Sequence, residues 1–123
     1  MEETMYDPKN PFAKILAGDL PADRVYEDEH VLAFKDIHPA APVHVLVITK
    51  KPYTSFEDFL TRASEQEVAA FWKGVHKTVQ LLEVAEQGYR LVTNIGPDGG
   101  QEVPHLHVHI LGGKLLGPKI CVL

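Results

Sequence analysis

Three of the chain's seven histidines stand at alternate positions, His105, His107 and His109, with Leu106, Val108 and Ile110 filling the places between and after them. Successive strand side chains point to opposite faces, so on a strand this spacing sets three imidazoles on one side. On a helix the same residues would fan out around the axis and could not act together. The large or β-branched residues between them suit a strand whose other face enters a core. Pro104 to Leu111 therefore reads as a half-buried strand displaying a row of imidazoles.

Three explanations of the row compete: a histidine-rich polar face, a metal site, and nucleophilic catalysis. A zinc site takes three or four ligands, and the chain offers neither a Cys pair nor a His-Glu-x-x-His helix, so a metal would need all three histidines or a distant one such as His44. In the catalytic reading one imidazole attacks while its neighbours orient it or shuttle protons. The stretch Asn94-Ile95-Gly96-Pro97-Asp98-Gly99-Gly100-Gln101 precedes the row. Its glycines let backbone N–H groups approach an oxyanion, although Pro-Asp-Gly is also ordinary turn chemistry. Joined to the imidazoles, it reads as a phosphate site beside a nucleophile.

The remaining elements must carry these groups. Asn10-Pro11 is a helix start, with Asn as cap and Pro at the first helical position, and Gly18 ends the helix after Ala17. Arg24 to Asp28 and Val31 to Lys35 read as strands joined around His30, and Asp36-Ile37-His38-Pro39 breaks the second. Val43 to Thr49 is apolar on both faces except at His44, which suggests a central, covered strand. On chemistry alone Asp36 is as readily a turn-former as a ligand, and His44 as readily a satisfied core residue as a catalyst. Tyr53 to Arg62 is expected to be a connector with at most a short helical turn. Ser64-Glu65-Gln66-Glu67 is a capping box opening a long helix, with Val68, Phe71, Trp72, Val75, Val79 and Leu82 at helical spacing before Gly88. Tyr89 to Thr93 is the next strand, and His107 to Leu111 completes the sheet.

At 123 residues and 13.7 kDa the chain fits a single domain, with residues 1–9 a polar lead expected to be disordered and 114–123 an apolar tail expected to be tied down. A net charge of -5 disfavours broad nucleic-acid binding, which needs a basic face. Cys121 is the sole cysteine, so no intrachain disulfide is possible, and a reducing compartment is expected. No stretch has the pattern of a signal peptide or the length of a membrane span, which makes the cytoplasm the expected location.

His105-Leu106-His107-Val108-His109-Ile110-Leu111 resembles the His-φ-His-φ-His-φ-φ signature of the histidine-triad (HIT) superfamily. Gly99-Gly100-Gln101-Glu102-Val103 and Gly112-Gly113 resemble its nucleoside-phosphoramidase branch in bacterial form, and the likeness runs from about Pro11 to Gly117 through Phe34-Lys35-Asp36-Ile37, Ala41-Pro42-Val43-His44 and Gly88-Tyr89-Arg90. The resemblance implies an α+β HIT-like fold, an antiparallel five-stranded sheet with one short and one long helix, and sheets joined across a homodimer. It implies hydrolysis of purine nucleoside 5′-phosphoramidates, with AMP, GMP or their phosphoramidates as the partner and neither cofactor nor metal. His107 would attack the α-phosphorus to give a nucleotidyl-histidine that water hydrolyses, His109 would contact the phosphate and leaving group, and His44 and His105 would orient or relay. Phe34 and Ile37 would hold the base, Asp36 the ribose hydroxyls, and Asn94, Gly100, Gln101 and Glu102 the phosphate. The tail would lie near the partner's site. Glu102 stands where animal members carry serine, Pro104 where an aromatic is usual, and His38 where serine is common. A dinucleoside polyphosphate hydrolase and a nucleotide-binding interaction protein with incidental hydrolysis are the other readings.

Overall fold

The computed structural model describes residues 5–118, so Cys121 and the last part of the tail lie outside the described residues. The chain forms helix α1 (Pro11–Ala17), strands β1 (Arg24–Glu27), β2 (Val31–Lys35) and β3 (Val43–Thr49), helices α2 (Phe56–Arg62) and α3 (Glu65–Leu81), and strands β4 (Arg90–Val92) and β5 (His107–Gly112). The strands make one antiparallel sheet in the order β1-β2-β3-β5-β4.

Register decides what each face of that sheet carries. In β3 against β5, Leu46 lies opposite His109 and Ile48 opposite His107, while Val45 faces Ile110 and Val47 faces Val108. Cross-strand partners share a face, so the first set lies on one side and the second on the other. The valine side joins Val31 and Ala33 of β2 to Phe71, Val75 and Val79 of α3 in the main core. The histidine side carries a smaller cluster, Leu32, Phe34, Leu46 and Ile48 with Phe12 and Ile15 of α1. Because α1 is only seven residues long, it covers part of that face and leaves room beside the histidines. Both faces are thus occupied, and β5 is buried along its whole length rather than half-buried.

The helix ends follow local chemistry. Asn10 Oδ1 accepts the N–H groups of Phe12 and Ala13, and Gly18 closes α1 in the left-handed conformation (φ 83°). Ser64 accepts the Glu67 N–H at the start of α3. A third helix replaces the expected connector. In α2 Ser55 accepts the Asp58 N–H, the Arg62 guanidinium grips the Asp58 carboxylate at 2.6 and 2.9 Å, and Phe59 enters the core. A capped, ion-paired turn around one buried aromatic is enough to hold seven residues helical, although too short to show a period in the sequence.

Three boundaries also shift. Strand β1 ends at Glu27 because Asp28 turns to accept the N–H groups of His30 and Val31, and β4 keeps only Arg90–Val92. Helix α3 stops at Leu81, well short of Gly88, where Glu83 takes a positive φ of 55°. The lead is placed from residue 5: Tyr6 reaches the interior, and Asp7 makes a turn with Lys9 and Asn10. At the other end Arg90 donates to the carbonyls of Pro118 and Gly117, which ties the described part of the tail to β4.

Candidate active site

The room beside the histidines is a cavity of about 550 Å³. Its apolar lining includes Phe12, Ile15, Leu20, Phe34 and Leu46, and its polar lining Asp36, Asn94, Gly100, Glu102, His107 and His109. This volume lies in the range of small-molecule sites. Ile37 stands 85% exposed at the rim beside His38, because the Asp36 Oδ1 accepts the His38 N–H and turns the chain outward.

Only two of the three row histidines face the cavity. β5 begins at His107, and His105 lies in the bend before it, fully buried and not part of the cavity lining. The expectation of three imidazoles on one strand face is therefore corrected. The reason is the hydrogen bond from the Leu106 N–H to the Tyr53 carbonyl, which holds the chain on α2's approach instead of in the ladder with β3.

Backbone groups fix the tautomers of His107, His44 and His105, and His44 then fixes that of His109. The His107 Nδ1 lies 2.7 Å from the His105 carbonyl, which only accepts, so Nδ1 carries the proton and Nε2 keeps its lone pair. Among the described residues Nε2 has no hydrogen-bond partner, and the cavity is beside it. The Ala40 N–H donates to His44 Nδ1 at 2.9 Å, so the His44 proton sits on Nε2 and points at His109 Nδ1, also 2.9 Å away. His109 therefore accepts at Nδ1 and carries its proton on Nε2. His105 follows the same logic: Nε2 donates to the Thr49 carbonyl at 2.7 Å, and Nδ1 accepts from the Tyr6 hydroxyl at 2.6 Å. The result is one open acceptor nitrogen and one donor nitrogen side by side, with ring centroids 5.2 Å apart.

Burial keeps these rings neutral. It pushes His105 and His109 down to about 4, His109 further helped by His107 and His44 nearby, and it lowers His107 and His44 as well. The Asp36 carboxylate works against this on His44, His107 and His109, and its Oδ2 lies 3.4 Å from His44 Nε2.

Asp36, His44 and His109 each offer a ligand atom within 4.8 Å of the others. Their nitrogens are nonetheless engaged: His44 Nδ1 with Ala40, and His44 Nε2 with His109 Nδ1. A metal taking His44 Nε2 would have to break the bond that sets the His109 tautomer, so the donor set fits a hydrogen-bonded pair better than a metal centre.

The glycine loop is held from within. Gly99 packs so closely on the Ile95 backbone that a Cβ would collide with it, and Gly100 takes a positive φ of 73°. The N–H groups of Gly100 and Gln101 bond to Pro97 and Gly96 carbonyls, leaving the Glu102 N–H as the amide of these three not used by the loop. The Gln101 side chain is not on the cavity wall. Its Oε1 accepts the Gly96 N–H, and its Nε2 donates to the Thr54 and Val103 carbonyls. It braces the loop rather than facing a ligand. Thr93 donates to the His107 carbonyl and so places Asn94 at the cavity.

The HIT domain family matches residues 17–115. This chain belongs to the HIT family. It is 50% identical over 115 residues to a 13.2 kDa HIT-like protein of Azospirillum brasilense, covering 94% of each chain. To the purine nucleoside phosphoramidase of Escherichia coli it is 40% identical over 109 residues, covering 89% of this chain and 91% of that one. Among solved structures, a histidine triad protein from Clostridium difficile superposes with a TM-score of 0.81 at 40% identity, covering 94% of this chain and all of the other. A HIT family hydrolase from Clostridium thermocellum superposes at 0.79 with 45% identity, covering 92% and 97%.

Sequence reasoning named His44, Asp36, Phe34 and the triad, and the structure brings them together, with His105 behind the cavity wall rather than in it. It missed Phe12, whose ring stacks edge-on against His107 with centroids 4.9 Å apart, as well as Thr49 and Tyr6. The signal for Phe12 was its place on the buried side of a short capped helix. For Tyr6 the sequence held none.

Proposed function

We propose that this HIT-family chain hydrolyses purine nucleoside 5′-phosphoramidates to nucleoside monophosphates, through a nucleotidyl-histidine intermediate on His107 and without metal or cofactor. The observation that carries the reading is His107: a backbone carbonyl holds its Nδ1 proton while Nε2 opens on a nucleotide-sized cavity. The name of the Escherichia coli relative supports the substrate class.

In this mechanism the base lies against Phe34 and the apolar lining, with Ile37 at its edge, and the ribose hydroxyls meet Asp36. Asn94 and the free Glu102 N–H at the end of the glycine loop receive the phosphate, with Gly100 beside it and Gln101 keeping that loop in shape. His107 Nε2 forms a bond to the α-phosphorus as the P–N bond breaks. The nitrogen leaves as an amine carrying a proton drawn from water at the mouth, with the His109 Nε2–H hydrogen-bonded to the departing group. The cationic phosphoryl-imidazole is stabilised by its Nδ1–H on the His105 carbonyl. Water then attacks phosphorus, releases a proton, and returns the His107 lone pair with free monophosphate.

The test is AMP release from adenosine 5′-phosphoramidate in the presence of chelator, for the native chain and His107→Ala. Chelator-resistant turnover that the substitution abolishes is expected. Tight AMP binding without turnover would leave only a nucleotide-binding protein.

The site also belongs to a homodimer in this reading. β4 is a sheet edge, Tyr89 and Leu91 at it are 39% and 41% exposed, and α3 carries the exposed Trp72 (40%) and Leu81 (58%). A second copy would cover these groups and extend the sheet. Light scattering at dilute concentration should give twice 13.7 kDa, and a monomer mass would remove the dimer.

A further inference from the structure

Behind the cavity wall the first triad histidine is held by a residue that lies outside the 17–115 family match. Tyr6 brings its hydroxyl to within 2.6 Å of His105 Nδ1, and the two rings meet edge-on with centroids 5.5 Å apart. The position is not accidental to a loose terminus. Asn10, itself buried, uses its amide to bind the Asp7 carbonyl at 2.7 Å while its oxygen caps α1, so the turn that delivers Tyr6 is fastened to the helix that floors the cavity. Phe12, from that helix, packs edge-on against both His105 and His107.

The donor and acceptor at this contact are determined. The Thr49 carbonyl takes the His105 Nε2 proton, which leaves Nδ1 a lone pair in a fully buried ring. Such an acceptor is costly unless a donor reaches it, and the Tyr6 O–H is the one that does. His105 lies outside the β3–β5 ladder, so the peptide that carries its carbonyl is held at one end by the Leu106 N–H on the Tyr53 carbonyl and from the side chain by the contacts of the His105 ring. The His105 carbonyl sets the proton of His107.

We propose that Tyr6 is a positioning residue for the HIT site: its hydroxyl locks the His105 ring, and through the His105 carbonyl it keeps His107 in the tautomer whose Nε2 is free. Its effect on turnover rests on the phosphoramidase reading above, while its effect on the rings does not. Tyr6 is not itself among the residues lining the nucleotide cavity, so its loss acts through His105 on the reacting nitrogen and not on substrate binding.

The experiment compares Tyr6→Phe and Tyr6→Ala with the native chain. Phe keeps the ring and its packing on His105 and removes one oxygen. The expected result for Tyr6→Phe is a fall in kcat of about tenfold, the upper end of one lost hydrogen bond, with AMP affinity and the KM for adenosine 5′-phosphoramidate within twofold of native. A merely structural tyrosine predicts a native kcat in Tyr6→Phe and a loss only in Tyr6→Ala. In parallel, long-range 1H–15N spectra of the histidines should show His105 Nδ1 shifting toward a free acceptor and His107 populating a second tautomer. This arm needs no turnover, so it decides the role of Tyr6 even if the native chain cleaves no phosphoramidate. A native kcat in Tyr6→Phe, or an unaltered His107 tautomer, overturns the proposal.

Discussion

The Nδ1–H of His107 donates to the carbonyl of His105, two residues earlier in the same chain, at 2.7 Å. A strand residue does not ordinarily reach back to its own backbone in this way. Here it does so because β5 starts at His107, which leaves the His105 carbonyl outside the ladder and available to an imidazole. One backbone group thereby chooses which nitrogen attacks and then steadies the positive charge that attack creates.

His107→Ala removes the bond-forming atom, so phosphoramidate turnover should fall by at least about a thousandfold, since no neighbour offers a second open lone pair. His109 cannot replace it because its Nδ1 is held by His44 and its Nε2 carries a proton. His109→Ala should retain measurable turnover, as it removes a hydrogen-bond donor and not the nucleophile. Single-turnover assays with labelled substrate separate the two, because labelled protein should accumulate only where His107 is present. Equal loss in both variants would count against the assignment.

Acid should weaken the fold before it unfolds by other routes. Burial holds His105 and His109 near 4, and His107 and His44 below their ordinary value, whereas in the unfolded chain all four titrate near 6.5. Between these values the unfolded chain takes up protons that the folded chain refuses, so stability is full above about 6.5 and declines as the pH falls toward 4. Melting curves should show Tm dropping steadily from pH 7 to pH 4.5. Turnover should persist to lower pH than a free imidazole would allow, because burial favours the neutral form of His107 while the chain is folded. A Tm flat across this window would mean the rings are not buried neutral.

Much of this was legible in the sequence because it obeys short-range rules. The Asn10 and Ser64 caps announce α1 and α3, and the unbroken apolar run of β3 announces a central strand with His44 inside it. The alternate histidines give the site, although the count of residues on the strand face was too high by one. What escaped depends on partners far away in the chain. Tyr6 and His105 are 99 residues apart, and no period or turn residue in a polar lead marks the side chain that will reach a buried histidine. Gln101 reads as a ligand beside glycines, yet the Thr54 carbonyl, 47 residues earlier, claims its amide. Helix α2 is held by a cap, an ion pair and one core ring, none of which has a periodic signature.

Gln101→Ala should loosen the glycine loop without touching the nucleotide. Three hydrogen bonds to Gly96, Thr54 and Val103 disappear, and the carbonyls and amide they served turn to water or remain unpaired. At about 1 kcal/mol for each bond net, kcat/KM should fall roughly tenfold to a hundredfold. Gln101→Glu keeps the acceptor for Gly96 but sets a carboxylate against two carbonyls, and it should be at least as impaired. Steady-state kinetics on both variants provide the check, and a native kcat/KM in Gln101→Ala would show that the loop holds its shape unaided.

Asp36→Asn tests the sugar contact. The carboxylate now accepts the His38 N–H with one oxygen and approaches His44 Nε2 at 3.4 Å with the other. An amide keeps the turn but offers one acceptor where two ribose hydroxyls would compete. The KM for adenosine 5′-phosphoramidate should rise about tenfold, with a smaller change for the 2′,3′-dideoxy analogue. An equal rise for both substrates would place Asp36's role in the histidine network and not in sugar recognition.

Gly74→Ala separates stability from catalysis. In an open helix interior this change would stabilise by about 1 kcal/mol, because glycine is the weaker helix former. Here the new methyl would sit 2.6 Å from Val31 Cγ2, on the side of the sheet opposite the histidines. Val31 is fully buried in β2 and has no room to retreat, so overpacking of about 1–3 kcal/mol outweighs the helical gain. Tm should drop by several degrees, while AMP release per folded molecule stays native because the strained pair lies across the sheet from the cavity. A raised Tm would show that α3 slides on the sheet more freely than its packing implies.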